Sequence, residues 1–211
     1  YSFVFPFILR INVENYTIFM IVALIPWNFF TEALGQGAGS IVSNADMTKK
    51  IYFPREVLTI ASVTAKFINM LLAFVVIMLF LIFSKVGISW HLLLLPAVMI
   101  AEYLIALGFT LFFSAITVYL RDMEYIVGVL LMAWIWATPI MYALDAIPKP
   151  LARLVLLNPM TLVIESYHNL LYYHRLSTPL TWGGMFAIGF LLLIIGEIVF
   201  VHLEGNFAEE L

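Results

Sequence analysis

Of the 211 residues in this chain, 64% are hydrophobic and only 11% are charged, whereas soluble domains average about 45 to 50% and 25%. Lipid is therefore the expected solvent, and the sequence predicts an all-α, polytopic membrane protein. The net charge of -3 gives no basis for nucleic-acid binding, and the absence of cysteine excludes disulfides and thiolate metal sites.

Long apolar segments predict six transmembrane helices in a single domain that covers residues 1–211. A hydrocarbon core of about 30 Å needs roughly 20 helical residues. Residues 1–9 are too few for a span, so we expect them to be the end of a first helix whose N-terminal part is missing. The other predicted spans are residues 16–42, 57–83, 92–120, 125–142 and 181–203.

A polar segment, residues 43–57, separates the second and third spans and predicts a short helix at the membrane surface. Ser43 or Asn44 is suited to cap its first turn. Asp46 adds a negative charge that is favourable at this end of a helix. Pro54 disfavours helical geometry at the residue before it and so ends the helix.

The other side chains of the polar segment form an apolar flank and a basic pair. Met47, Ile51 and Tyr52 can share one side of the helix. Lys49 and Lys50 remain solvated. This division is typical of a helix that docks into another protein. An ordinary positively charged cytoplasmic loop is an equally good interpretation of these residues.

Residues 143–179, between the fifth and sixth spans, are apolar but interrupted by prolines. They leave room for two short helices, over residues 151–157 and 160–173. Neither helix can span the bilayer, so we expect a re-entrant pair that enters the outer leaflet. A folded cap on the outer surface is the alternative.

The basic residues favour a cytoplasmic location for the polar segment. In that orientation the short inner loops carry more Lys and Arg than the short outer loops, as the positive-inside rule requires. The inner residues are Lys49, Lys50, Arg55 and Arg121, and the outer ones are Arg10 and Lys85.

Lys66 and Glu102 are charged residues inside predicted spans. Each lies eleven residues from an expected membrane interface, which at about 1.5 Å per residue places both near the middle of the core. Because an unpaired charge there costs roughly 2.5 to 3.5 kcal/mol, we predict that the two form an ion pair within one protomer. The alternative is that each faces a wet channel separately.

Glu165 and His168 are one helical turn apart in the second short helix. We predict that the carboxylate raises the protonated fraction of His168 near neutral pH, which would give a gate a variable charge. A purely structural pair is the alternative. The Glu-x-x-His spacing also matches half of a di-iron site, but the second half is absent from the sequence, so we predict no metal site.

Several motifs, in their order and spacing, resemble the permease of an ABC-2 type polysaccharide exporter. They are NADMTKKIYFPREVL (44–58), YLRD (119–122), TPIMY (138–142) and LNP (157–159). The closing FAEEL (207–211) is similar to the C-terminus of the O-antigen and teichoic-acid branch. The resemblance covers the whole chain except the missing start, which in that family includes an amphipathic interface helix. One departure is His168, where such permeases often carry an arginine.

The resemblance implies a transport subunit and not an enzyme. It implies that two copies of this chain assemble with two ABC ATPase subunits, which bind ATP and Mg²⁺, and that the complex moves a lipid-linked polysaccharide outward across the bacterial plasma membrane. The chain has no G-x-x-x-x-G-K-S/T motif, so nucleotide hydrolysis has to come from a partner. In that family the polar segment is a coupling helix that contacts the ATPase, here through Asn44, Asp46, Met47, Lys49, Lys50, Ile51 and Tyr52.

The resemblance also implies an outer gate formed by the two short helices. Its candidate residues are Pro139, Asn158, Pro159, Glu165 and His168. A glycan channel requires aromatic rings that stack on sugars and scattered polar groups that exchange hydrogen bonds with them. The candidate lining residues are Phe5, Trp27, Phe30, Tyr125, Trp134, Trp136 and Tyr142. For each ring, a position in the protein core or against lipid is the alternative.

Two other transport functions are compatible with the sequence. The first is an ABC-2 exporter of a small molecule or drug. The second is a secondary transporter, which is disfavoured because intramembrane acidic residues are few and no pair of broken helices occupies corresponding halves of the chain.

Overall fold

The computed structural model describes residues 15–50, 53–84, 86–87 and 89–211, with the backbone alone for Lys49, Lys50 and Ala208. All regular structure in this part of the chain is helical, which confirms the predicted all-α class. In chain order the α-helices are α1 (Tyr16–Gly37), α2 (Ser40–Ser43), α3 (Ala45–Lys50), α4 (Glu56–Phe83), α5 (Leu95–Tyr119), α6 (Met123–Trp134), α7 (Lys149–Val155), α8 (Pro159–Tyr167), α9 (Pro179–Glu204) and α10 (Phe207–Glu210).

Four helices are long and apolar enough to cross a bilayer, namely α1, α4, α5 and α9. They correspond to the second, third, fourth and sixth predicted spans. α5 is extended at its start by a 3-10 turn, Trp90–Leu94. The expected first span, residues 1–9, lies outside the described residues.

The predicted fifth span, residues 125–142, is shorter in the structure. α6 and a 3-10 turn at Ile135–Ala137 form one apolar helix, Met123–Ala137. At about 1.5 Å per residue it rises about 22 Å, which is less than a core of about 30 Å. The helix ends early because Pro139 forces Thr138 into an extended conformation. The predicted continuation through the TPIMY motif is therefore wrong.

α5 and α9 cross in close contact at glycine residues. A Cβ atom at Gly108 would lie 2.5 Å from the backbone of Leu192 and Leu193. A Cβ atom at Gly196 would overlap the carbonyl oxygen of Gly108. Small residues permit such close packing between helices that are surrounded by lipid. α1 packs against both α4 and α5, so the four long helices form one bundle.

Within the described part of the polar segment the structure has one helix, α3, which begins at Ala45 and so two residues later than predicted. The separate short helix α2 comes directly before it. The predicted N-cap residues act differently in the structure. The side chains of Ser43 and Asn44 both donate to the carbonyl of Ser40, at 3.2 and 2.8 Å, and so stabilise the end of α2. The first turn of α3 is closed by the backbone bond from Thr48 to the Asn44 carbonyl.

Two short helices precede α9, as predicted. α8 begins at Pro159 and continues into a π-helical turn, His168–Tyr172. It lies among α1, α5 and α9. Its fully buried apolar side chains are Met160, Val163, Ile164 and Tyr167. α7 instead exposes both of its leucines, Leu151 and Leu154. The burial of α8 among long apolar helices favours a re-entrant segment over a surface cap.

Candidate functional site

A chain of buried hydroxyl groups holds the end of the bundle that carries α3. Ser40 Oγ and Thr59 Oγ1 are 3.0 Å apart, and Thr59 in turn donates to Ser114 Oγ at 3.2 Å. These three buried side chains join α2 to α4 and α5. Because satisfied buried hydrogen bonds rigidify the elements they connect, we expect α2 to move together with α4 and α5.

The outer surface of α3 carries exposed side chains. Asp46 is exposed, and the Met47 side chain is 45% exposed. Thr48 points inward and donates to the Asn44 carbonyl at 3.0 Å. A flexible, exposed methionine next to a charge is suited to an apolar cleft in another protein. Asn44, another predicted contact, is partly buried and donates to the Ser40 carbonyl. The remaining predicted contacts, the side chains of Lys49 and Lys50 and residues Ile51 and Tyr52, lie outside the described part of the chain.

Arg55, at the start of α4, links the polar segment to the C-terminus. Its guanidinium donates to the Glu204 carbonyl, where a cation complements the C-terminal end of α9. The same group lies 5.9 Å from the centroid of the Phe207 ring in α10. Phe207 is fully buried, and its ring centroid lies 6.2 Å from that of Tyr119 and 5.5 Å from that of Phe200. This contact was not predicted from the sequence, although an apolar phenylalanine within an acidic tail is a signal for a buried anchor.

The predicted ion pair between Lys66 and Glu102 is wrong. Lys66 Nζ lies 3.4 Å from Glu32 Oε2 on α1. Glu102 is fully buried and accepts a hydrogen bond from the Tyr167 hydroxyl at 2.7 Å. Counting residues along a helix gives the depth of a side chain, but it does not show which neighbouring helix that side chain faces. For the same reason, the pairing of Lys66 with Glu32 was not predicted from the sequence.

Lys66 and Glu32 lie in an open groove of about 160 Å³ between α1 and α4. Asn28 and Asn69 also line this groove, and both are exposed. Lys66 is ten residues from the start of α4, about 15 Å along the helix and so near mid-membrane depth. A charge that faces lipid there costs roughly 2.5 to 3.5 kcal/mol. We therefore expect this groove to face water or a polar partner and not lipid tails.

Some of the aromatic residues predicted to line a channel are packed inside the protomer. Trp27 and Phe30 are buried, and the Phe30 ring centroid is 5.4 Å from that of Trp134. Phe109 completes the cluster, with ring centroids 6.1 Å from Phe30 and 5.5 Å from Trp134. These edge-on contacts belong to the core of the bundle. The prediction of a channel-lining role is therefore wrong for Trp27 and Phe30.

Other aromatic candidates stay accessible at the protein surface. Tyr125 is 77% exposed and Trp136 is 63% exposed. Tyr142 is half-buried, and its hydroxyl donates to the Trp136 carbonyl at 3.3 Å. A channel-lining role for these three residues stays a prediction. Phe5 lies outside the described residues.

Three gate candidates come together at the end of the bundle opposite α3. Asn158 Oδ1 accepts a hydrogen bond from the backbone N–H of Met160 at 3.0 Å and thereby caps α8, which begins at Pro159. Its Nδ2 donates to Thr138 Oγ1 at 2.9 Å, directly before the buried Pro139. One side-chain amide therefore ties the start of α8 to the end of α6.

The predicted pair of Glu165 and His168 is wrong. His168 is buried, its ring stacks on Phe19 with centroids 3.8 Å apart, and its Nε2 donates to the Phe19 carbonyl at 3.0 Å. Burial lowers the pKa of His168 to about 4, so the ring is neutral near pH 7. Glu165 pairs instead with Arg175 at 3.6 Å. Helical spacing placed the two side chains one turn apart, but α1 covers His168.

Arg175 is a residue of this region that the sequence analysis did not single out. Its Nε donates to Asn169 Oδ1 at 2.6 Å, and its guanidinium lies 4.7 Å from the centroid of the Tyr173 ring. Together with the contact to Glu165, these interactions fix the loop between the π-helical turn and α9. No local sequence pattern links these residues, because the contacts depend on the path of the loop.

Comparison with known proteins agrees with this architecture. The ABC-2 type transporter family model matches residues 1–172. O-antigen export system permease protein RfbA of Myxococcus xanthus is 32% identical, over 100% of this chain and 82% of that protein. Two proteins of the same name from Klebsiella pneumoniae are 31% and 30% identical, each over 99% of this chain and 81% of its own length. This multi-pass bacterial membrane protein therefore belongs to the ABC-2 type transporter family.

Proposed function

We propose that this chain is the permease subunit of an ABC exporter that moves a lipid-linked polysaccharide outward across the bacterial plasma membrane. The polysaccharide is of the O-antigen or teichoic-acid class. The observation that carries the proposal is the similarity over nearly the whole chain to three proteins named as O-antigen export system permeases. In this proposal the chain is not an enzyme, and ATP and Mg²⁺ bind to separate ATPase subunits.

The polar segment is the contact to the ATPase in this proposal. Its support is the combination of an exposed Met47 on α3 with rigid attachment on the other side. Ser40 joins α2 to the buried hydroxyl chain, and Arg55 joins the start of α4 to the ends of α9 and α10. A partner that pushes on α3 therefore moves long helices as well as a loop.

A homodimer with two ATPase subunits is the proposed assembly. The groove that contains Lys66 and Glu32 opens on the surface of one protomer. A polar groove at mid-membrane depth is costly when lipid covers it, so a second protomer is needed to enclose it within a channel. The apolar surfaces of α4 and α9 suit lipid contact instead.

Deletion of the gene in its native host tests the proposed function. We expect surface glycan to disappear and lipid-linked glycan to accumulate on the cytoplasmic side, and we expect the wild-type gene to restore export. A host whose ATPase cannot hydrolyse ATP should show the same defect. Normal surface glycan in the deletion strain, together with retention of a small molecule or drug, would instead support the small-molecule exporter.

A further inference from the structure

The groove between α1 and α4 presents complementary polar groups at one depth. Glu32 and Lys66 form an ion pair there with the Glu32 side chain half exposed, and Asn28 and Asn69 flank it. The two asparagine side chains are exposed and make no hydrogen bond to another described residue. The groove therefore contains free amide donors and acceptors beside a pair of opposite charges.

This set of groups is unusual on the outer face of a membrane bundle. Asn28 lies twelve residues from the start of α1, about 18 Å along the helix, and Asn69 is one turn beyond Lys66. All of these residues fall within the hydrocarbon thickness of about 30 Å. A volume of about 160 Å³ admits several waters, since one water needs roughly 10 to 15 Å³. The groove is thus able to stay hydrated.

We propose that this groove is a sugar-contacting site in the export path, where Asn28, Glu32 and Asn69 exchange hydrogen bonds with glycan hydroxyl groups and Lys66 holds Glu32 in place. The proposal rests on the proposed function and assigns the substrate contact to particular residues. The occupant is the glycan and not a second copy of the chain.

The chemistry of the groove fits a neutral, polyhydroxylated ligand. Each hydroxyl group both donates and accepts, and so does each asparagine amide. The 3.4 Å ion pair neutralises Lys66 and leaves an accessible carboxylate edge on Glu32, so no net charge retains the ligand. Such weak, replaceable contacts permit a polymer to slide, whereas a tight site would stop it.

Water access to the groove is measured with single cysteines, since the chain has none of its own. Asn69→Cys is compared with Ile68→Cys, an exposed neighbour at nearly the same depth that does not line the groove. In membranes that contain the complete exporter, we expect a charged, water-soluble thiol reagent to label Asn69→Cys roughly tenfold faster or more, because hydrocarbon disfavours the reactive thiolate. Glycan held in the path by stalled ATP hydrolysis should slow this labelling, and the modified protein should export poorly.

A double variant tests the hydrogen bonds themselves. Asn28→Leu with Asn69→Leu removes both amides at similar size, and we expect export to slow roughly two- to tenfold while the protein level is unchanged. Equal labelling of the two cysteine positions, labelling that stalled glycan does not slow, or unchanged export by the double variant would overturn the site. Efficient cross-linking of Asn69→Cys between two copies would assign the groove to the dimer interface instead. Export by the wild-type protein and by unlabelled Ile68→Cys is measured first, so a failure of the proposed function is recognised separately.

Discussion

At the scale of single residues, the contact between Glu102 and Tyr167 joins a long helix to the re-entrant one. Tyr167 donates to Glu102 Oε2 at 2.7 Å, and both side chains are fully buried. Glu102 Oε1 makes no hydrogen bond with any described residue. A buried acidic side chain without any hydrogen-bond partner is costly inside a bilayer, and Tyr167 is the described partner of Glu102. This bond therefore holds α8 against α5.

Tyr167→Phe should therefore destabilise the protein. The loss leaves both oxygens of Glu102 without a described partner and should cost about 1 to 3 kcal/mol. For a chain of this size, that loss lowers the melting temperature by roughly 2 to 10 °C. Thermal unfolding of the detergent-purified protein measures the effect. Tyr125→Phe, at a 77% exposed ring, is the matched control, and equal melting temperatures for the two variants would refute the role of the bond.

His168 should make stability depend on pH. Burial lowers its folded-state pKa to about 4 from an ordinary value of 6.5, so the unfolded chain binds the extra proton first as the pH falls. The stabilisation is complete above about pH 6.5 and is lost as the pH approaches 4, by roughly 3 kcal/mol in all. As the pH is lowered from 7.5 to 5, we expect the melting temperature of purified His168→Gln to fall less than that of the wild type.

The control for this experiment is His202→Gln, which changes an exposed histidine on α9. Its pH dependence should match that of the wild type. Because His168 is neutral over the physiological range, export should also be constant between pH 7 and 8 when the ATPase rate is held equal. If the melting temperature of His168→Gln depends on pH as steeply as that of the wild type, protonation of His168 does not destabilise the protein.

At the scale of elements, the short C-terminal helix α10 supports the polar segment from the side. Phe207 is buried against Tyr119 and Phe200, Arg55 lies over its ring, and α10 contacts α3. An aromatic anchor of this kind supplies much of the burial that a four-residue helix can obtain. α10 therefore fixes the position of α3 relative to α5 and α9.

Phe207→Ala should weaken this support without affecting membrane insertion. A buried phenylalanine reduced to alanine costs about 3 to 5 kcal/mol when its surroundings stay in place, and here we expect α10 to detach instead. The predicted result is ATP hydrolysis that continues with reduced glycan export, measured together in reconstituted vesicles. Glu210→Ala, at an exposed position of the same helix, should retain normal coupling. Normal coupling in Phe207→Ala as well would show that the C-terminus is dispensable.

The long helices were predictable because about 20 consecutive apolar residues are a strong local signal. The fifth span was misjudged because a proline near the end of an apolar run changes the geometry of the residue before it, as Pro139 does at Thr138. The candidate site was harder to predict. Lys66 and His168 were recognised as important, but their partners, Glu32 and Phe19, are set by how α1 faces α4 and α8. Sequence spacing within one helix carries no such information.

At the scale of the whole molecule, α1 connects the regions that the proposed function requires. Its C-terminal end leads directly into α2 and the polar segment. Glu32, in its C-terminal part, lines the groove, and Phe19 near its start stacks on His168. Spanning helices are stiff over this length, so a shift of α3 can reach the groove and the re-entrant segment through α1.

In the proposed function, nucleotide hydrolysis in a partner drives glycan export through the polar segment. The most direct measurement uses vesicles that contain the permease and its ATPase, with glycan export and ATP hydrolysis recorded together. Met47→Asp with Tyr52→Asp places charges at the expected apolar contact. We predict loss of ATPase association, or hydrolysis without export, with normal insertion, while Leu176→Asp in the exposed loop before α9 exports normally. Normal association and normal ATP-driven export by the double variant would contradict the claim.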